Sequence, residues 1–354
     1  MMVINGFLAL FLSLCLLPFA KQLALSWNFV DYPDNRKRHK EAIAPVGGII
    51  IIPLFVALSI LAGLDVFQHF YFLTALTLIW LLGIVDDKYH LSATLKFSLQ
   101  IVPVAILVFG DGTVVNYLGN LFGFGEIWTE PFAEIFTVLC ILLVMNAINI
   151  IDGLDGLCGG ICFIILAAFS CATMISGGHE LVVPMFILMG CLIGFLFYNY
   201  RYPFNERAAI FLGDSGSTAL GFIISWLAIE LTQGDSSSEV GFLHPALILW
   251  VLALPVFDAL SLFIYRLSHK RSPFSADRRH LHYLLCDKGM VTFQSVNMIH
   301  TLCLIYCLIG VLLITDLEVP TAYLMPLWIS FFCIHCAVTF GYIRVSLGKV
   351  VDAN

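Results

Sequence analysis

The chain has 354 residues, of which 60% are hydrophobic and 12% charged, with a formal net charge of −7. A soluble domain carries about 25% charged residues, so a water-soluble globule is excluded, and with it a nucleic-acid partner; a bilayer must be the solvent. The longest polar segments, 23–44 and 265–295, are loop-sized, so residues 1–354 read as a single integral-membrane domain.

Met1 to Leu17 is apolar with no basic residue ahead of it, unlike a cleavable signal peptide, and reads as an uncleaved first span. A membrane helix needs about 20 mostly apolar residues. Such stretches centre near Leu12, Phe55, Leu78, Pro103, Leu142, Leu166, Leu188, Ile223, Leu252, Ile305 and Phe331. The expected fold is therefore all-α, a polytopic membrane protein with about eleven transmembrane helices. Pro103, Pro184 and Pro255 fall in or near spans, which membrane helices tolerate when neighbours satisfy the freed carbonyls. Most of the 11 cysteines sit in apolar runs, where the residue acts as a small hydrophobe. The Cys333-x-x-Cys336 pair lies within the last span and reads as packing.

With eleven spans the loops alternate sides, and all 17 Lys and Arg fall on one of them. The opposite loops hold Asp65, Asp111, Glu126, Glu130, Glu180, Asp235, Glu239, Asp316 and Glu318 without a basic residue. The positive-inside rule then puts the N-terminus outside and the C-terminus in the cytoplasm. The Gly- and aromatic-rich segment 111–131 lies outside and has no assigned role.

Four polar features sit at cytoplasmic span ends. They are Asp86-Asp87, the string Asn146-Ala-Ile-Asn149-Ile-Ile-Asp152-Gly153-Leu154-Asp155-Gly156, the turn Phe211-Leu-Gly213-Asp214-Ser-Gly216, and the loop Asp277-Arg278-Arg279-His280-Leu-His282. A carboxylate near hydrocarbon costs about 2.5–3.5 kcal/mol on insertion scales and usually marks function. Like charges gathered at one level repel, and a divalent cation relieves that; oxygen ligands with few protein contacts suit Mg²⁺. Asn146, Asn149, Asp152 and Asp155 are spaced by three, which stacks them on one helix face. Gly153, Gly156, Gly213 and Gly216 are expected to expose backbone N–H groups to phosphate. Arg278 and Arg279 suit phosphate oxygens. Singly, an Asp-Asp is a solvated cap, a Gly-Asp-Ser-Gly a turn, and a basic loop a topology signal; their convergence at one face indicates phosphoryl transfer to or from a lipid. Asp258, in Pro255-Val-Phe-Asp258, reads first as a structural partner for a basic residue and second as a support of the site.

Together these motifs resemble the polyprenyl-phosphate N-acetylhexosamine-1-phosphate transferases over nearly the whole chain. The Ala-Asp-Arg-Arg-His-Leu-His loop is most similar to that of the bacterial undecaprenyl-phosphate N-acetylglucosamine-1-phosphate transferases; the phospho-MurNAc-pentapeptide branch has three consecutive histidines there. Tyr283 departs from the expected histidine and receives no role. The resemblance implies that UDP-GlcNAc and undecaprenyl phosphate give undecaprenyl-diphospho-GlcNAc and UMP, a step toward O-antigen or a related surface glycan. It implies the bacterial inner membrane, with a periplasmic N-terminus and an active-site cleft at the cytoplasmic face, contact with membrane lipid, and a homodimer of which the residues give no sign. It implies Mg²⁺, with Mn²⁺ as a substitute, on Asp214 and Asn149. Asp86 or Asp87 would act as general base, with a covalent aspartate as the open alternative. Asp152, Gly153, Leu154, Asp155 and Phe211 would hold the uridine. Arg278, Arg279, His280 and His282 would grip the pyrophosphate or sugar, and Lys40 would reach the nucleotide. The same chemistry with GalNAc or MurNAc-pentapeptide remains open. A nucleotide-sugar or lipid-linked-sugar transporter is the rival from another class; it would carry midplane sites and inverted repeats, and no repeat is visible.

Overall fold

The computed structural model describes residues 1–32, 42–178, 180–201, 207–233, 243–272, 278–316 and 319–351. Thirteen α-helices are present among them: α1 (Met2–Ser26), α2 (Gly47–Leu61), α3 (Phe70–Tyr89), α4 (Ala93–Asp111), α5 (Ala133–Ile151), α6 (Leu157–Ile175), α7 (Val182–Asn199), α8 (Asp214–Thr232), α9 (Pro245–Val251), α10 (Ala253–Ser268), α11 (Leu281–Asp287), α12 (Thr292–Val311) and α13 (Thr321–Val351). A two-stranded antiparallel ribbon, β1 (Tyr117–Gly119) with β2 (Ile127–Trp128), occupies the aromatic segment between α4 and α5. This is an all-α, multi-pass membrane protein.

Among the described residues nine helices are long and apolar enough to cross a membrane. Each expected span centre falls on a helix or, at Leu252, on a helix break. Two spans differ from expectation. α2 has 15 residues, about 22 Å at 1.5 Å per residue, short of a roughly 30 Å hydrocarbon core. The ninth span is two helices, α9 and α10, bent by 70°. Pro255 explains the break. It has no N–H to give the Val251 carbonyl and its ring crowds that group; the Cys307 thiol meets the freed carbonyl at 3.7 Å.

α8 lies at the centre, packed by α2, α3 and α5, and is buried along almost its whole length. Phe72 of α3 stacks on Trp226 of α8 at 3.9 Å between ring centres. The outer helices α1 and α13 instead show apolar side chains such as Phe7, Phe11 and Ile334 on the surface, as lipid-facing positions require. Small residues bring backbones together, the usual means of helix association in lipid. A Cβ on Gly190 of α7 would stand 2.1 Å from the Gly6 carbonyl oxygen of α1. Near the start of α8, a Cβ on Gly48 of α2 would lie 2.1 Å from Gly216 N, and one on Gly83 of α3 would lie 2.3 Å from Ser215 Cα. These contacts seat the α8 N-terminus beside the ends of α3 and α5 and the start of α4.

Candidate active site

The α8 N-terminus is built from Phe211-Leu212-Gly213-Asp214. Phe211 pairs backbone to backbone with Ala44 and Gly47. Gly213 then turns the chain at φ 78°, a region L residues disfavour, and a Cβ there would stand 2.7 Å from Asp87 Oδ2. Asp87 accepts the Asp214 and Ser215 N–H groups at 2.7 and 3.1 Å, so a carboxylate from α3 caps α8.

The first turn of α8 carries the polar centre. Asp214 accepts from Asn149 Nδ2 at 2.6 Å and pairs with the Lys96 ammonium. Asn149 Nδ2 also reaches Ser217 Oγ at 2.8 Å, and its Oδ1 accepts from Lys96 at 3.1 Å. Lys96 further pairs with Asp86 Oδ2 at 2.8 Å, and Asp86 Oδ1 accepts from Leu91 N at 2.8 Å. One turn back along α5, Asn146 donates to Gln100 Oε1 at 2.9 Å. The spacing of three thus places Asn146 and Asn149 toward α4, with Asn149 also reaching α8.

A cavity of about 600 Å³ opens beside this centre. Asp87, Asn149, Asp152, Gly153, Leu154, Asp155, Phe211, Asp214 and Arg278 line it, together with Asn199, Arg201 and Tyr283. Asp86, Arg279, His280 and His282 are not in its wall; Arg279 instead lies over the Tyr265 ring at 5.2 Å. Lys40 and Asp277 fall outside the described residues. Asp155 is held by Arg201 Nε at 2.7 Å and Ala208 N at 3.2 Å. Asp152 ends α5, and burial, with the charges of Asp214, Asp87 and Asp155, pushes its carboxyl well above the usual range.

Three of the four glycine N–H groups expected to face phosphate are already spent. Gly153 N bonds Ile151 O, Gly156 N bonds Asn199 Oδ1 at 2.7 Å, and Gly216 N bonds Gly213 O. The N–H groups of Asp214 and Ser215 go to Asp87. The glycines serve close packing instead: a Cβ on Gly153 would lie 2.3 Å from His282 Nε2, and one on Gly156 2.2 Å from the Tyr200 ring. Anion recognition therefore falls to side chains, with Arg278 and Arg201 the cations in the wall and Lys96 behind Asp214.

The Arg278–Tyr283 segment forms one rim. The Arg278 guanidinium lies 4.3 Å from the Tyr283 ring centre, a cation–π distance. Tyr283, left without a role by the sequence, is thus part of the wall. His280 Nδ1 is 2.8 Å from Asp258 Oδ2. His282 is buried, and desolvation with the neighbouring His280 and Arg278 pushes it down to about 3, so it is neutral. Lys96, to which the sequence motifs assign no role, joins Asp86, Asn149 and Asp214. Its signal was its place: a lone cation inside the apolar stretch 93–111, where intramembrane charge marks function.

Among the described residues no three His, Cys, Asp or Glu converge as a closed metal cage. The wall does offer oxygen donors on Asp87, Asn149, Asp152 and Asp214. That donor set fits Mg²⁺, which takes one or two carboxylates and completes its shell with water and substrate phosphates.

Residues 69–232 match the glycosyl transferase family 4. The chain is 30% identical over 308 residues to an undecaprenyl-phosphate α-N-acetylglucosaminyl 1-phosphate transferase of Haemophilus influenzae, covering 86% of this chain and 84% of that one. Proteins of the same description from Yersinia pestis and Escherichia coli O157:H7 are 29% and 28% identical, covering 85% and 90% of this chain and 81% and 85% of theirs.

Proposed function

We propose that this chain, which belongs to glycosyl transferase family 4, transfers GlcNAc-1-phosphate from UDP-GlcNAc to undecaprenyl phosphate, releasing UMP. At the coarser level it is a multi-pass membrane enzyme that moves a sugar phosphate onto a polyprenyl phosphate. The observation that carries the reading is the α8 N-terminus, where Asp87, Asp214 and the partly buried Lys96 meet beside a cavity. The cavity is within the usual size range of small-molecule sites.

The lipid phosphate oxygen attacks the phosphorus attached to the sugar, and the bond to the UMP phosphate breaks. Asp87 lines the cavity and Asp86 does not, which favours Asp87 as the group that orients or deprotonates the acceptor. Asp86 serves to hold Lys96. Arg278, in the cavity wall, supplies positive charge to the pyrophosphate region, with Lys96 behind Asp214. Asp152, Gly153, Leu154, Asp155 and Phe211 form the wall suited to the uridine. Mg²⁺, or Mn²⁺ in its place, would be held by Asp214 with Asn149 and Asp87 beside it, and supplies Lewis-acid neutralisation of phosphate charge. The confinement of all Lys and Arg to one set of loops favours a cytoplasmic site in a bacterial inner membrane, and the product suits the start of O-antigen or a related surface glycan.

The test is UMP release by purified chain from UDP-GlcNAc, with undecaprenyl phosphate and Mg²⁺, for wild type and Asp214→Asn. Release that needs lipid and metal, and that the folded variant loses, is the expected result. Release from UDP-GalNAc or UDP-MurNAc-pentapeptide alone would change the sugar, and no release from any UDP-sugar would sink the enzyme reading.

A further inference from the structure

Asp258 is a carboxylate buried in α10, three residues past the proline that breaks the ninth span, and it is 3% exposed. A buried charge kept only for stability is a poor choice, since apolar residues of similar volume often do as well. Both oxygens of Asp258 are committed to one short stretch of chain. Oδ2 meets His280 Nδ1 at 2.8 Å, and Oδ1 accepts the Leu281 N–H at 3.0 Å. From there contacts run to the cavity. The His280 ring stacks on His282 at 5.7 Å, the His282 ring lies 4.1 Å from that of Tyr283, and Tyr283 carries the Arg278 guanidinium. His282 also seats against Gly153, leaving no room there for a Cβ. Asp258, His280 and His282 are absent from the cavity wall, whereas Gly153, Tyr283 and Arg278 are in it.

We propose that Asp258 is a positioning residue: by gripping His280 through Nδ1 it fixes the arm that presents Arg278 and Tyr283 to the phosphate-bearing donor. This rests on the transferase reading above. A carboxylate on Nδ1–H sets the tautomer and orientation of the ring, as carboxylates behind histidines do elsewhere. Neighbouring contacts tie α10 and α11 to α13. Phe257 stands 5.8 Å from the His335 ring of α13, and Lys288 at the end of α11 lies over the Tyr342 ring of α13 at 4.4 Å.

The test uses the full chain and reads KM for UDP-GlcNAc, KM for undecaprenyl phosphate and kcat, with calorimetric UDP-GlcNAc affinity alongside. Asp258→Asn is expected to weaken donor KM and affinity by about tenfold or more, the scale of a lost charged hydrogen bond, with the lipid KM unchanged. Asp258→Glu should recover part of the loss. The position of the contact gives a second test that does not depend on the folding of an Asp258 variant. His280→Asn keeps a donor at the Nδ1 place and should stay within about threefold of wild type, whereas His280→Gln, which mimics Nε2, should fall with Asp258→Asn. Retained affinity in His280→Gln with loss in His280→Asn would overturn the proposal. So would a folded Asp258→Asn whose donor KM and affinity are unchanged, or one that loses kcat and thermal stability alone. A wild type that binds UDP-GlcNAc without turning it over would count against the transferase reading, while the affinity differences would still decide the role of Asp258.

Discussion

The two ends of α8 each hold a partly buried acid, Asp214 at the start and Glu230 near the finish, and they satisfy it by different means. Asp214 sits at the positive end of the helix dipole with Lys96 and Asn149 upon it and a cavity alongside. Glu230 is met by Thr113 Oγ1 at 3.3 Å, which also bonds Asp111 at 2.9 Å. The loops at that end carry no Lys or Arg. Polar groups at the second end are joined to close structure: Gln233 Oε1 accepts from Asn116 and Tyr117 N–H groups at 3.0 Å, tying the β-ribbon to α8. The difference is that the first acid faces a cavity and shares a cation, whereas the second is tied to neighbouring chain. At the first end a partly buried cation, Lys96, is shared between Asp86 and Asp214, and Asp214 itself lines the cavity.

Removing that cation should have the largest effect. Lys96→Gln takes from Asp86 and Asp214 the cation they share. UMP release is expected to fall by roughly 10²–10³-fold; a folded variant at wild-type rate would erase the contrast between the two ends. Next in size is a pair of glycines that share a positive φ but differ in ψ, 165° at Gly213 and 16° at Gly112. Gly213 has φ 78° and Gly112, which closes α4 at the other end, has φ 74°. A Cβ meets Asp87 at Gly213 and nothing within 4 Å at Gly112. Gly112→Ala should cost about 1 kcal/mol of backbone strain, and Gly213→Ala should lower the thermal midpoint further and reduce turnover. Equal midpoints would show that the Asp87 cap is not tight.

The pH dependence of stability is the next test. The folded chain keeps Asp152 protonated above the usual carboxylate range, and the unfolded chain does not. Stability from this group is therefore present at low pH and lost as pH rises through the ordinary carboxylate value, about 3.9, toward the raised folded one. In chelator, Asp152→Asn should flatten the fall in thermal midpoint toward alkaline pH and raise the midpoint at pH 8. Identical slopes would contradict it. The smallest effect belongs to Glu230→Gln, which keeps an acceptor for Thr113 and should leave UMP release within about twofold of wild type.

The helices were largely legible because a bilayer demands long apolar runs. Local sequence also announced Asp86-Asp87, the Asn149 to Asp155 face and Gly213-Asp214, since charge at a span end is costly enough to stand out. Division of labour within those motifs was not legible. Asp86 and Asp87 are neighbours in sequence, yet one holds Lys96 and the other caps α8. The glycines looked like phosphate cradles and are spacers, because their N–H partners come from distant or preceding turns. Lys96 looked like one of many topology charges until α4, α5 and α8 came together around it.

Composition and apolar run length determined by themselves that this chain is a multi-pass helical membrane protein. Those properties are sums over local transfer free energies, and they survive without knowledge of contacts. Which acid meets which cation, where the ninth span bends and which arm closes the cavity were decided only in the tertiary structure. Each depends on side chains from separate helices meeting within hydrogen-bond distance, as Asp258 meets His280 across 22 residues of chain.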